Sequence, residues 1–516
     1  MSLWTKTARS TLLIVGAGAL LGLGMAALEP GALNAASVMA YGALAAIVLL
    51  IGWLIWKKFG AESSLGRIAL TAFGLRLVLG VALSVLLPII GYDEPAPNAG
   101  YIFFDAFQRD TQAWQLAQSG APLTSAFNRE FFTDQYGGML IVSAGLYRIF
   151  SPDMHRPWLI LLLTASVSAL GVMFFYRALG DQFGSKTAKL ATWIFALYPE
   201  SVLLGAAQMR DPILIGLAAV AFYFTTRWRE IGWKTAAWLG LIIALLAGFS
   251  WPVALGVGAL LAVWWWIDYS ATLVDRRRGL MGWAFLALLM IAGYAFIARW
   301  LQEPAAYEFG EALRNSGWIQ ELFKQIPETL QTPFIVVYGL AQPVLPAALI
   351  DPALPISSAI STFRSVGWYL IIPLLLYAPI ALWKTNPGMV RRLLICALVG
   401  VAVWTLISSV RAGGDLWDNP RYRTLFMPWL ALVAAWAWYT AREHRDGWLA
   451  RWYLVMGIFL VFFTNWYLRR NFGLGIHIDF WPMILAIVGL SAIVIGWGIV
   501  KEFRARGNPF TRDKLD

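Results

Sequence analysis

The sequence predicts an all-α integral membrane protein with about 14 transmembrane helices and additional helices on the outer membrane surface. First, 59% of the 516 residues are hydrophobic and only 13% are charged, whereas roughly 25% are charged in an ordinary soluble domain. Second, a single soluble core stops growing near about 250–300 residues, so it cannot absorb this much apolar surface. Third, apolar runs close to the roughly 20 residues needed to span a bilayer recur along the whole chain. These runs lie near 11–28, 36–56, 68–90, 158–176, 188–206, 212–226, 235–250, 252–268, 280–298, 366–383, 393–410, 424–440, 452–468 and 481–500.

The distribution of lysine and arginine predicts the orientation of these spans. The loops on one side are all basic, as at Lys57-Lys58 and Arg276-Arg277-Arg278, whereas the opposite loops at 29–35 and 473–480 have neither residue. Because basic loops stay cytoplasmic, both termini are expected in the cytoplasm. An apolar segment at 333–350 would invert every later loop if it crossed the membrane, so we expect it to be re-entrant or interfacial.

Charge and cysteine content exclude two other classes of protein. The net charge of +11 resides in short loops between apolar runs, where it encodes topology rather than nucleic-acid binding. Cys396 is the one cysteine and there are three histidines, so an intrachain disulfide and a Cys/His zinc site are not expected. His155, His444 and His477 show no recognisable arrangement.

Three outer segments, 91–157, 299–365 and 411–423, are long or charged. In the first of them, the apolar spacing over 101–117 predicts an amphipathic helix on the membrane surface. A second surface helix is expected at 138–150, which is too short to span.

The acidic residues of the first outer segment are candidates for proton transfer. Asp105 and Asp110 are five residues apart, about 140° around a helix, so only one of them is expected to face a site. Asp134 is a further candidate. The alternative is that these acids are solvated loop charges that balance Arg109 and Arg129.

Two basic motifs on the outer side are candidates for binding an anion. Arg210 precedes Asp211-Pro212, where Asp211 also suits a helix N-terminus and Arg210 has no capping role. Arg421, Tyr422 and Arg423 stand before a late span, where paired arginines could clamp a phosphate. The alternative for this last group is interfacial anchoring.

One arginine lies inside a predicted span. Arg76 falls in the third apolar run, where an unpaired charge costs at least several kcal/mol. Glu200 is a candidate partner.

These motifs together resemble the GT-C superfamily of membrane glycosyltransferases, which use polyprenyl-phosphate sugars. The chain is most similar to the protein O-mannosyltransferase and aminoarabinose-transferase type. The resemblance rests on Phe104-Asp105-Ala106 followed by Asp110 and Trp114, on the short apolar segment 138–150, on Tyr198-Pro199 followed by Gln208, Arg210 and Asp211, and on Arg421-Tyr422-Arg423. It covers roughly 66–440; two extra spans lie in 1–65, and 441–516 adds further spans and a basic cytoplasmic tail.

The resemblance implies a glycosyltransferase of the bacterial inner membrane that moves a sugar from a polyprenyl-phosphate donor to an acceptor hydroxyl on the extracytoplasmic face, with inversion. Asp105 is then the expected general base and Asp110 the second choice. Arg210, Arg421 and Arg423 would bind the donor phosphate. Some relatives use a divalent metal such as Mg²⁺ or Mn²⁺, but no set of metal ligands can be recognised in this sequence. The acceptor, whether glycan, lipid or protein, stays open.

Three other functions are compatible with the pattern. An O-antigen ligase or polymerase would also use a lipid-linked glycan, but would rely on arginine and histidine. A secondary transporter would have inverted repeats and ionisable residues at the membrane midplane, neither of which is clear in the sequence. The third is a non-catalytic scaffold or lipid-binding protein.

Overall fold

The computed structural model describes residues 3–128, 131, 135–315 and 317–507, and this part of the chain is helical without any β-strand. The predicted class, an all-α membrane protein, is confirmed. The helices of the first part are α1 (Leu3–Leu28), α2 (Ala35–Lys58), α3 (Ser63–Ile90), α4 (Pro95–Asn98), α5 (Phe104–Gln118), α6 (Gly138–Phe150), α7 (Trp158–Leu197), α8 (Pro199–Gly205), α9 (Asp211–Thr226), α10 (Trp228–Ile231), α11 (Lys234–Ser270) and α12 (Arg276–Asn315). Then follow α13 (Gly317–Phe323), α14 (Glu328–Ala341), α15 (Leu345–Ile350), α16 (Pro355–Lys384), α17 (Met389–Ala412), α18 (Asp418–Thr424), α19 (Met427–Glu443), α20 (Gly447–Phe472) and α21 (Phe480–Gly507).

The predicted number of 14 spans is too high. Among the described residues, ten helices are long and apolar enough to cross a membrane, or eleven if α18 and α19, which meet at 77°, form one span. The predicted spans 235–250 and 252–268 fall within one helical element, α11, which leaves the helical conformation at Ser250. The predicted spans 158–176 and 188–206 begin within α7, which leaves it at Gly184, and the second of them ends beyond α8. A further predicted span, α9, has 16 residues, which is shorter than the roughly 20 that a bilayer requires.

The two expected surface helices are present as short helices. Helix α5 covers most of the amphipathic segment, and α6 begins and ends where the second apolar segment does. The segment 333–350 falls in α14 and α15, and neither is among the helices long enough to span. This agrees with its exclusion from the spans. The cytoplasmic position of the termini stays a prediction.

The chain divides into two compact units. Unit 1 comprises Met1–Gln302 and Arg421–Ala431, and unit 2 comprises Glu303–Pro420 and Leu432–Asp516. The short segment Arg421–Ala431 thus joins a unit formed otherwise by the first 302 residues.

The core of unit 1 is built around helices α7 and α9. Gly171 and Gly216 allow these helices to touch, since a Cβ on Gly171 would lie 2.7 Å from the Gly216 Cα. Phe222 of α9 packs its ring 4.9 Å from Trp264 and 5.5 Å from Trp429, centroid to centroid. Aromatic contacts of this kind add to the burial of apolar area, so they fix α9, whose first turn carries Arg210 and Asp211.

Arg76, buried completely in α3, does not use Glu200 as its partner. Its guanidinium donates hydrogen bonds to the carbonyl oxygens of Ala72 (3.0 Å), Ala196 (2.9 Å) and Phe195 (3.4 Å) and to the hydroxyl of Ser201 (3.0 Å). Two of these carbonyls belong to the last turn of α7, where the helix dipole favours a cation. Arg76 therefore stabilises the junction between α7 and α8, and Arg210 follows α8 in the chain.

The N-terminal helices α1 and α2 are tied to the loop before α7 by a second buried arginine. Arg156 donates from Nε to the Ser37 hydroxyl (2.9 Å) and from Nη2 to Asp153 (2.8 Å). Close by, Tyr41 donates to the carboxylate of Glu29 at the end of α1. Burial raises the pKa of Glu29 to about 7, although Tyr41 and Arg156 oppose the shift.

In unit 2, Asp446 joins three elements. It caps α20 by accepting from the Trp448 amide (3.0 Å), and it accepts from Tyr377 (2.9 Å) and Lys384 (2.8 Å) of α16. Lys384 also lies 3.0 Å from Glu502 of α21.

Candidate active site

Asp105 lies in the first turn of the surface helix α5, where the helix dipole favours a carboxylate. Its side chain is 49% exposed. Asp105 is thus anchored on a regular element while remaining accessible to a ligand.

Two guanidinium groups converge on one oxygen of Asp105. Both Nη atoms of Arg421 lie 3.3 Å from Oδ2, and Nη2 of Arg109 lies 3.8 Å from the same atom. Arg109 reaches it because residues four apart share a helix face, whereas Arg421 arrives from α18. Among the described residues, nothing donates a hydrogen bond to Oδ1 of Asp105, so this oxygen is open to a bound hydroxyl.

Arg210 and Asp211 enter the same site from the start of α9. Nε of Arg421 lies 3.4 Å from Oδ1 of Asp211, and both side chains are only 3% exposed. Within the described part of the chain, Oδ2 of Asp211 is buried without a hydrogen-bond partner. The buried guanidinium of Arg210 stacks 4.8 Å over the ring of Tyr136. Arg421 therefore bridges the carboxylates of two separate outer segments.

The arginines decide the charge state of Asp105. Burial alone would raise the pKa of its carboxyl group, but the charges of Arg421, Arg109 and Arg210 outweigh it and hold the pKa below the ordinary value. Asp105 is therefore ionised throughout the neutral range. A carboxylate so held is a weak base until an anion takes up part of the arginine charge.

The remaining candidates from the late outer segment differ in their positions. Tyr422 packs its ring 5.3 Å from Arg421 Cζ. Arg423 is almost completely buried. Because α18 is helical, residues two apart do not face each other, so Arg421 and Arg423 leave the helix in different directions. The expected role of this pair in binding the donor phosphate stays a prediction. Asp134 lies outside the described residues.

Asp110 belongs to a separate buried cluster. Its carboxylate accepts hydrogen bonds from the hydroxyls of Tyr101 (2.6 Å) and Tyr147 (2.5 Å), and it lies 2.8 Å from Nε2 of His155. Burial raises the pKa of both tyrosines well above the usual range, so both hydroxyls keep their protons. Asp105 and Asp110 thus have different partners, and both oxygens of Asp110 already form hydrogen bonds.

Several of these residues were not predicted from the sequence. Arg109 was expected only as a balancing loop charge, and Tyr136, Tyr101, Tyr147 and His155 were not expected at all. Asp110 and His155 are 45 residues apart, and no periodicity links a helix to a loop at that spacing.

The described residues of the site do not fit a divalent metal. Within the described ranges, no three His, Cys, Asp or Glu side chains come together. The two nearest carboxylates, Asp105 and Asp211, share Arg421, whose charge repels a cation at that point.

Comparisons with known proteins show a similarity of structure. No protein-family model and no curated protein matches the sequence. The structure is similar to that of the archaeal oligosaccharyltransferase AglB from Archaeoglobus fulgidus, solved in complex with an inhibitory peptide and a dolichol-phosphate, with a TM-score of 0.38 and 13% identity. The match covers 86% of this chain and 55% of that chain, so the present chain spans about half the length of AglB. At this level of similarity the match carries no argument about function.

Proposed function

We propose that this protein is a membrane glycosyltransferase that moves a sugar from a polyprenyl-phosphate donor to an acceptor hydroxyl. One observation carries the proposal. A half-exposed carboxylate, Asp105, lies among three arginines from three separate segments, Arg109, Arg210 and Arg421. Such a site offers a proton acceptor and an anion-binding group side by side.

The charge changes of the reaction fit this site. The acceptor oxygen forms a bond to the anomeric carbon while the bond from that carbon to the phosphate oxygen breaks. The phosphodiester of the donor becomes a phosphomonoester, so negative charge develops on the departing lipid phosphate. Preorganised guanidinium groups stabilise charge of this kind, and Arg421, Arg210 and Arg109 lie where they can do so.

Asp105 would take the proton of the acceptor hydroxyl. Its Oδ1 accepts no hydrogen bond from the described residues, whereas Oδ2 faces Arg421 and Arg109. When phosphate shares the charge of Arg421, the group that most strongly holds down the pKa of Asp105 is weakened. Donor binding would therefore activate the base, and attack from the face opposite the phosphate inverts the anomeric centre.

Asp211 would keep Arg421 in place. Its Oδ1 lies 3.4 Å from Nε of Arg421, on the edge that does not face Asp105. While Asp211 holds the Nε edge of the guanidinium, its two Nη atoms can bind either Asp105 or a phosphate.

We further propose that this site lies on the extracytoplasmic face of a bacterial inner membrane.

The proposal is tested by turnover of a synthetic polyprenyl-phosphate hexose by purified protein in nanodiscs. A crude membrane extract supplies the acceptor, and release of free polyprenyl phosphate is measured. We expect release that depends on the protein. If no release occurs with any of several donor sugars and extracts, while the labelled donor moves between the two bilayer leaflets, the protein is a transporter instead.

A further inference from the structure

The proposed function does not use an imidazole that a buried carboxylate holds on another face of α5. His155 lies 2.8 Å from Oδ2 of Asp110, whose side chain is only 2% exposed. Asp110 also accepts hydrogen bonds from the hydroxyls of Tyr101 and Tyr147. Since the carboxylate accepts, Nε2 of His155 donates, and a neutral imidazole then carries its lone pair on Nδ1.

The second nitrogen of this imidazole is open to a ligand. Among the described residues, none forms a hydrogen bond with Nδ1 of His155, and the side chain is 31% exposed. The ring is stacked on Trp114, with centroids 5.2 Å apart and planes at 26°. The edge of Tyr147 packs against it, also at 5.2 Å. Its orientation is therefore fixed by contacts on three sides, and the accessible side presents the Nδ1 atom next to the ring of Trp114.

We propose that His155 and Trp114 form a carbohydrate subsite that binds the hydroxyl groups of a saccharide chain. The inference rests on the proposed glycosyltransferase function: the saccharide would extend from the site of bond formation toward His155. A ring nitrogen held in a fixed orientation suits a sugar hydroxyl, which can donate or accept a hydrogen bond, and the partly exposed indole of Trp114 suits the apolar face of a pyranose ring.

The subsite is distinct from the site of bond formation. Asp110 and Asp105 are five residues apart on α5, about 7.5 Å along the helix axis and about 140° around it. One hydroxyl cannot reach both Asp105 and His155. The ligand at His155 is therefore not the reacting hydroxyl but another part of the saccharide, carried either by the lipid-linked donor or by the acceptor.

The experiment uses the small number of histidines. The full-length protein in nanodiscs is labelled with ¹⁵N-histidine, so that its NMR spectrum contains signals from His155, His444 and His477. Maltotriose, chitotriose and a synthetic polyprenyl-phosphate hexose are titrated separately, and the dipeptide Ser-Thr is the hydroxyl control. His155→Gln assigns the signal, and the other two histidines report that the fold is intact.

We expect a saturable shift of the His155 Nδ1 signal, with His444 and His477 unchanged. A shift with a free trisaccharide assigns the subsite to the acceptor, whereas a shift only with the lipid-linked hexose assigns it to the donor. Trp114→Leu should weaken binding roughly tenfold. His477→Gln is the matched control and should leave binding unchanged, since His477 also lies near a carboxylate, Asp479 at 3.4 Å, but both are exposed.

The subsite is wrong if no saccharide shifts the signal, or if Ser-Thr shifts it equally. The subsite is also wrong if the saccharides shift the His477 signal as much as the His155 signal. Binding is read without turnover, so a protein that transfers no sugar but binds saccharide at His155 contradicts the proposed function alone. A protein that transfers sugar without any shift contradicts the subsite alone.

Discussion

Asp105 and Arg421 are 316 residues apart in the sequence, yet both Nη atoms of Arg421 lie 3.3 Å from one oxygen of Asp105. The pair joins the first outer segment to the short segment Arg421–Ala431 within unit 1. A surface ion pair contributes little to stability, but Arg421 is buried and also contacts Asp211. We therefore attribute the pair to the chemistry of the site.

Replacing Arg421 tests whether turnover needs the several N–H donors of a guanidinium group or only a positive charge. Arg421→Lys keeps the charge, but an ammonium group cannot contact both Asp105 and Asp211 in the geometry of a guanidinium. We expect turnover of the lipid-linked sugar to fall roughly tenfold or more. Arg442→Lys, an arginine stacked on Trp438, is the control and should retain full turnover. Full turnover by Arg421→Lys would show that the guanidinium geometry has no role in turnover.

The pKa of Asp105 predicts how turnover depends on pH. Arg109 is one of the charges that hold this pKa below the ordinary value. The carboxylate is therefore available at neutral pH, and turnover should be lost only as the pH falls through the lowered pKa. Arg109→Gln removes one charge, so the acid limb of the pH profile should move upward, toward the ordinary value of about 3.9. Single-turnover donor consumption over a pH series measures the shift, and an unchanged acid limb contradicts the assignment of Asp105 as base.

Asp110 should matter for stability rather than chemistry. Asp110→Asn places an amide where two tyrosine hydroxyls and His155 approach a carboxylate. Hydrogen bonds to a charged group contribute about 1.5–3 kcal/mol each, so we expect a clear loss of thermal stability.

Tyr147→Phe should lower stability less than Asp110→Asn, and Glu94→Gln, at an exposed position, should serve as a baseline. Thermal unfolding in nanodiscs measures all three. Asp110→Asn with wild-type stability and no turnover would move the base from Asp105 to Asp110.

Glu29 predicts a pH-dependent stability. Burial raises its pKa from 4.5 to about 7 in the folded protein, so the folded state binds this proton more tightly than the unfolded state. The wild type should therefore lose stability as the pH rises from 4.5 toward 7. The loss is on the order of 3 kcal/mol, since each pKa unit corresponds to about 1.4 kcal/mol.

Glu29→Gln removes this dependence and should be more stable than the wild type above about pH 7. Melting temperatures at several pH values measure it, with Glu94→Gln, at an exposed position, as the control. Parallel melting curves for the wild type and Glu29→Gln at every pH would contradict the buried state of Glu29.

Much of the fold could be predicted because membrane helices obey strong local rules. Apolar length and basic loops identify the class, and amphipathic spacing located α5 and α6. The span number was too high because apolar runs cannot show that one helical element continues through a kink, as at Gly184 and Ser250.

The candidate site was predicted in its residue types but not in its contacts. Asp105, Arg210 and Arg421 stood out because each lies in a charged motif on the outer side of the predicted spans. Their convergence depends on tertiary packing, which has no local signal. For the same reason Arg76 was matched with the nearby acid Glu200, whereas its partners are backbone carbonyls at the end of α7.

The rate of polyprenyl phosphate release by Asp105→Asn relative to wild type, measured on protein of equal thermal stability, tests the central claim most directly. Asparagine keeps the size of the side chain and removes the proton acceptor. The account predicts a loss of about 100-fold or more, with donor binding retained through Arg210 and Arg421. Equal rates for the two proteins would show that Asp105 is not the base of this reaction.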